Sequence, residues 1–226
     1  MNDKNYTRLS FGKLKFDAAI CLNSVLPSAA EFANLGSLPI LAADGAALRL
    51  KKIGVEPDVI VGDLDSLSEE ELANFNKEKI IFEPDQNTND FEKILMYAQS
   101  MNYQSVLILG IHGGELEHTL NNWSVFARWS KLLNLALFDA DRYGISVDKS
   151  IVAEVKTGET ISLIPLTETL ITTKNLKWQL TEEILQLAVR EGARNIAESD
   201  SITLEIHRGE LLLFIDGRLP YAPSYD

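Results

Sequence analysis

Basic residues are scarce in this chain. Against 33 aspartates and glutamates stand 21 lysines and arginines, a net charge of −12 over 226 residues. That balance argues against broad electrostatic binding to nucleic acid or to an anionic membrane. It leaves room for an anionic small molecule, because a divalent cation reverses the local sign of a carboxylate site. Cysteine is nearly absent: Cys21 is alone and has no intrachain partner, so a reducing, cytoplasmic setting is expected. Its apolar surroundings, AAICLN, mark a buried structural thiol rather than a nucleophile. Long apolar runs are missing too. The longest are strand-sized, so no membrane-spanning helix is expected, and MNDKNYTRLSFGKLKF lacks the apolar core of a secretory signal. Neither an internal repeat nor a low-complexity tract is visible.

What is present falls into two rhythms. Up to about residue 140, short apolar runs (AAICLN, PILAA, VIV, KIIFE, SVLIL, LNLALF) alternate with helical patterns (AALRLKKIG, SEEELANFN, DFEKILMYAQS, EHTLNNWSVFARWSK). In DFEKILMYA, Phe91, Ile94, Leu95 and Ala98 fall at i, i+3, i+4 and i+7 and form one helix face. Strands alternating with helices predict a mostly parallel sheet flanked by helices. After residue 142, TISLIPL, TLITT, SITLEIH and LLLFID read as antiparallel strands. LTEEILQLAV (180–189) reads as an intervening helix, and RGE (208–210) as a hairpin turn around Gly209. The expected architecture is α/β: a domain over 1–142, then a smaller antiparallel, sandwich-like β domain over 143–226.

Ligands of open α/β sheets bind outside the carboxyl ends of the strands. Three acidic clusters lie at such ends. Asp44 follows PILAA, Asp63 and Asp65 follow VIV, and Asp85 and Asp90 follow KIIFE. Asp residues often serve as helix caps and turn formers, but caps do not explain Gly-Asp-x-Asp. If 63–65 stays extended, both carboxylates project to one side. Two hard oxygen ligands on one side suit Mg²⁺, which fills its shell with water and phosphate oxygens. A fourth stretch, GIHGGELEH (110–118), joins SVLIL to a helix. Its glycine pair, Gly113 and Gly114, suits a phosphate at a helix N-terminus. His112 and His118 do not have the i, i+4 spacing of a zinc helix.

Taken in order, ADGAA, PDVIVGDLDS, DQNTNDFEK and GIHGGELEHTLNN resemble the motifs of the thiamine pyrophosphokinases over about residues 40–122. LITTKNLKWQL and GARN carry a weaker likeness onward. The resemblance implies an α/β nucleotide-binding catalytic domain followed by a β-rich domain for thiamine binding and dimerisation. It also implies transfer of a pyrophosphoryl group from ATP to the thiamine hydroxyl, with Mg²⁺ as cofactor. Asp63, Asp65 and Asp90 would be catalytic and would hold the metal together with Glu117. Asp44, Gly45, Arg49, Lys93, Gly113, Gly114 and His118 would lie by the nucleotide, and Gln86, Trp178 and Asn195 by thiamine. The implied partners are ATP, thiamine and a second copy of the chain, in a cytoplasmic homodimer whose subunits share each thiamine site.

The chain departs from the family pattern at five positions. Glu115 stands for Arg and Glu117 for Asp; Asn89 replaces Thr, Asn175 replaces Gly and Arg194 replaces Ser. Glu115 reverses a charge where phosphate is expected. It keeps two other outcomes open: a diphosphokinase for another hydroxymethyl heterocycle such as a pterin, or a weakened binding protein of the same fold.

Overall fold

The computed structural model describes residues 6–226. The chain opens with β1 (Thr7–Ser10) and then alternates strand and helix. The order is β2 (Ala18–Cys21), α1 (Ala29–Ala33), β3 (Ile40–Ala43), α2 (Ala46–Lys52), β4 (Val59–Gly62), α3 (Glu69–Leu72), β5 (Ile80–Phe82), α4 (Asp90–Ser100), β6 (Ser105–Leu109), α5 (Leu116–Trp129) and β7 (Asn134–Asp139). It continues in strands: β8 (Arg142–Val147), β9 (Ile151–Glu154), β10 (Thr160–Pro165), β11 (Thr169–Lys174), β12 (Glu183–Leu185), β13 (Gly192–Ile196), β14 (Ser201–Arg208), β15 (Leu211–Asp216) and β16 (Ser224–Tyr225). Two compact units result, 15–140 and 141–226 with 6–14. Among the described residues, no helix is long and apolar enough to cross a membrane.

In the 15–140 unit the strands are all parallel, in the order β7-β6-β2-β3-β4-β5. The all-apolar reading of AAIC, ILAA and SVLIL is explained by burial at every position of β2, β3 and β6, as a sheet covered on both faces requires. From β2 the chain builds outward through β3, β4 and β5, then returns to the other side of β2 with β6 and β7. The strand order therefore reverses between β2 and β6, and a crevice is expected there at the carboxyl ends. The helices start where their caps dictate. Ser28 and Ser68 form capping boxes with Glu31 and Glu71, and the Asn89 side chain caps α4.

The other unit contains two sheets, β12-β11-β14-β9-β1-β16 and β13-β10-β15-β8. Alternate residues are buried, as in Ile161 and Leu163 of β10 and Ile202 and Leu204 of β14, giving the period of two that half-covered strands need.

Three sequence expectations change here. Residues 180–189 are not helical: β12 pairs with β11 (Leu170↔Ile184), and Glu182 and Ala188 take left-handed φ of 50° and 64°. A helical pattern yields where a neighbouring strand offers a ladder. The reversal at 208–210 is real, but β14 and β15 do not pair with each other; β14 lies between β11 and β9, and β15 between β10 and β8. The turn thus passes the chain from one sheet to the other. Finally, residues 6–14, expected in the first domain, cluster with the second unit because β1 pairs with β9 and β16.

Gly209 is required at that crossing. Its φ is +89°, and a Cβ there would meet the Glu168 carbonyl oxygen and lie 2.7 Å from Thr169 Cα. Left-handed strain and backbone overpacking together predict that Gly209→Ala destabilises by about 3 kcal/mol. Thermal unfolding of the two proteins measures this directly; equal melting temperatures would contradict it.

Candidate active site

Asp44, Asp63 and Asp65 converge. One carboxylate oxygen from each lies within 4.8 Å of the other two. Adjacent parallel strands bring them together: Ala43 stands beside Val61, so the chain ends of β3 and β4 are level. The 63–65 segment is not extended. Leu64 takes φ 63°, and the Asp65 amide donates to Asp63 Oδ1 at 3.4 Å. A tight left-handed turn, rather than a pleat, aims both carboxylates at Asp44. Gly62 makes the approach possible, since a Cβ there would lie 2.9 Å from the Asp44 Cβ.

Asp44 is the exceptional member. It is 1% exposed, its φ is 42°, and neither carboxylate oxygen makes a hydrogen bond. Burial raises its pKa; the hydroxyl and amide of Ser66, near the carboxylate but outside hydrogen-bond geometry, act in the opposite direction, while Asp65 and Asp63 add to the rise. Two orphaned, desolvated oxygens beside two more carboxylates suit a hard divalent cation, whose charge would supply what the protein withholds.

Lys93 organises the neighbouring acids. Though 3% exposed, it carries its ammonium 2.8 Å from Asp63 Oδ2 and 3.3 Å from Asp90 Oδ1. Burial alone would lower its pKa, but the two carboxylates more than offset this and hold it raised. Asp63 is correspondingly lowered, chiefly through its bond from Lys93, whereas burial raises Asp90. Gln86 Nε2 donates to Asp63 Oδ2 at 3.0 Å. Gln86 and Lys93, expected at thiamine and at the nucleotide, each place one donor on Asp63.

A cleft of about 320 Å³ opens where the strand order reverses, between the loops after β2 and β6. Asp90, Gly113, Gly114, Glu115 and His118 line it. Asn23 and Ser24 also line it and were missed in the sequence, although they follow β2 at the same strand ends as the recognised acids. Ser24 Oγ donates to the His112 carbonyl and Asn122 Nδ2 to the Ile111 carbonyl at 3.1 Å, which fixes the glycine loop. Arg49 is exposed and donates to Asn23 Oδ1 at 2.7 Å, and Gly45 opens α2 next to the same asparagine. Glu117 lies exposed on the first turn of α5, outside the three-carboxylate group. Asp90 is outside that group as well.

Asn89 and Asn175 have structural reasons for standing where the family pattern has Thr and Gly. Asn89 Oδ1 accepts the Glu92 amide at 2.8 Å, so Asn and Thr both serve as helix caps. Asn89→Thr is accordingly expected to change stability by only a few tenths of a kcal/mol, and Asn89→Ala to cost about 1 kcal/mol. Urea unfolding of both variants checks this. Asn175 occupies φ 64°, the region for which glycine is the usual choice, and its Nδ2 donates to the Ser201 carbonyl at 2.9 Å. Arg194 also takes a left-handed φ, 58°, with its amide on Ser162 Oγ at 3.0 Å. Glu115 is the N-cap residue of α5 without a side-chain cap, and its carboxylate faces His118 Nε2 at 3.4 Å in open solvent.

In the other unit, Trp178 is 56% exposed and Asn195 is 7% exposed. Lys177 Nζ lies 4.9 Å from the centre of the Trp178 ring.

Comparison with known proteins places the chain in a family. The family model "Thiamin pyrophosphokinase, catalytic domain" matches residues 36–137, and "Thiamin pyrophosphokinase, vitamin B1 binding domain" matches 143–209. Thiamine pyrophosphokinase 1 of Oryza sativa subsp. japonica is 26% identical over 188 residues, covering 74% of this chain and 67% of that protein. The fold is similar to yeast thiamin pyrophosphokinase, with a TM-score of 0.75, 19% identity and coverage of 91% of this chain and 87% of that one. For the Bacillus subtilis thiamine pyrophosphokinase the TM-score is 0.73 at 19% identity, covering 89% and 100%. These two structures speak for the fold; the two consecutive family models span most of the chain. The chain belongs to the thiamin pyrophosphokinase family.

Proposed function

We propose that this thiamin pyrophosphokinase uses ATP as donor and Mg²⁺ as cofactor, and that Asp44, Asp63 and Asp65 hold the metal. The observation that carries the metal assignment is the convergence of three carboxylates around the unsatisfied oxygens of Asp44. When bound, Mg²⁺ would neutralise phosphate oxygens and favour charge transfer onto them. The chain's own groups do the rest. The glycine loop and the N-terminus of α5 receive the nucleotide phosphates in the cleft. Lys93 is held by two carboxylates and acts on them rather than on phosphate, keeping Asp63 ionised and oriented. Asp90, whose carboxyl is raised and which lines the cleft, takes the hydroxyl proton. The thiamine oxygen then forms a bond to the β-phosphorus, the bridging bond to the α-phosphate breaks, and AMP leaves.

In this reading Trp178 stacks on thiamine, and the protein works as a homodimer in the cytoplasm, each thiamine lying between subunits. Glu115, at the cleft rim, is turned to His118 and leaves the carboxylate triad untouched, which favours activity over a purely binding role. Incubation with ATP, Mg²⁺ and thiamine, followed by chromatography, tests the proposal. AMP and thiamine diphosphate in equal amounts are expected. AMP formed only with a pterin alcohol, or thiamine bound without turnover, would overturn it.

A further inference from the structure

Asn195 lies beside Trp178, and its side-chain hydrogen bonds run to backbone. Its Oδ1 accepts the Trp178 amide at 3.1 Å and the Ile196 amide at 2.9 Å, while its Nδ2 donates to the Trp178 carbonyl at 2.7 Å. A carboxamide that both accepts from and donates to one residue's backbone replaces the partner strand that this residue lacks. The strand-like contact beside it is continuous: Lys177 donates its amide to the Ile196 carbonyl at 2.9 Å, and Leu176 bridges Ala197. On the other side, Asn175 anchors the loop through its Ser201 bond and accepts the Glu198 amide at 2.9 Å. The result is an exposed indole on a fixed backbone, although Trp178 belongs to no strand.

Asn195, at 7% exposure, has its acceptor filled twice and one donor engaged, which leaves little for a ligand. From this geometry we infer that Asn195 is a positioning residue that acts on the heterocyclic substrate through Trp178, by holding the indole ready for stacking. Ordering the ring before the ligand arrives removes part of the entropic cost of binding. Lys177 covers one face of that ring, so a flat heterocycle is offered the other. The inference rests on the reading of Trp178 as the stacking aromatic for thiamine.

The test combines kinetics with a readout that needs no substrate. Asn195→Ala is expected to raise the thiamine KM about tenfold, the effect of one or two lost hydrogen bonds, with kcat and the ATP KM nearly unchanged. The heteronuclear NOE of the Trp178 indole N–H, assigned with Trp178→Phe, should fall in the same variant. In a Trp178→Ala background, Asn195→Ala should add nothing further to the thiamine KM. The same tenfold rise in that background would show direct ligand contact and overturn the inference, as would an unchanged NOE. Should Asn195→Ala fail to fold, Asn195→Asp keeps one acceptor oxygen and replaces the donor to the Trp178 carbonyl by a second oxygen that repels it; it must still lower the NOE. If the wild type turns over no thiamine, the functional reading fails by itself, and the NOE arm alone decides whether Asn195 holds the indole.

Discussion

Asp63→Asn is expected to lower turnover about a thousandfold, the scale of losing one preorganised charge at a phosphoryl-transfer centre. Asp63 sits where two demands meet. One oxygen belongs to the three-carboxylate group, and Oδ2 receives bonds from Lys93 and Gln86. Asparagine keeps the shape and removes the charge, so the backbone turn through Leu64 should persist. Circular dichroism should therefore be unchanged while divalent-cation affinity, followed by Mn²⁺ electron paramagnetic resonance without ATP, falls sharply. Wild-type Mn²⁺ affinity in this variant would remove Asp63 from the metal site.

Lys93→Met is expected to destabilise the protein by about 3 kcal/mol, the low end for removing one partner of a buried ion pair. The low end applies because the side chains of Asp63 and Asp90 keep 14% and 37% of their exposure and water can reach them. Methionine fills the volume but leaves two neighbouring carboxylates without their counter-ion. Adding Asp90→Asn to Lys93→Met should restore part of the loss. The pH dependence has a definite sign. Asp63 is held below its ordinary pKa, so its contribution is present above the unfolded value of about 3.9 and is lost as pH falls through the lowered folded value. The gap in melting temperature between wild type and Lys93→Met should therefore close in acid. A gap that stays constant from pH 7 into that range would mean that the bridge contributes nothing to stability.

The elements most legible in the sequence are those whose ends are locally fixed. DFEKILMYAQS reads as a helix and is one, residue for residue, because Asn89 caps it and its apolar spacing is regular. SVLIL is likewise a strand at the expected positions. Asp44 reads in the sequence as a strand-end acid beside the nucleotide; its meeting with Asp63 and Asp65 depends on the register of β3 against β4. Lys93 is expected from the resemblance to lie by the nucleotide. Its burial follows from α4 lying over β3 and β4, a tertiary fact with no signature along the chain. Residues 180–189 misled for the opposite reason, since a local helical pattern was overruled by pairing with β11. The role of Asn89 and Asn175 in place of Thr and Gly is intelligible only once the cap and the left-handed φ are seen.

The central claim is transfer of the two terminal phosphates of ATP as one group to thiamine. The most direct measurement supplies ATP labelled with ³²P at the γ-position, together with Mg²⁺ and thiamine, and resolves the products by chromatography. Label is expected in thiamine diphosphate, with unlabelled AMP formed in equal amount. Label in thiamine monophosphate with ADP as co-product, or label released only as inorganic phosphate, would contradict it.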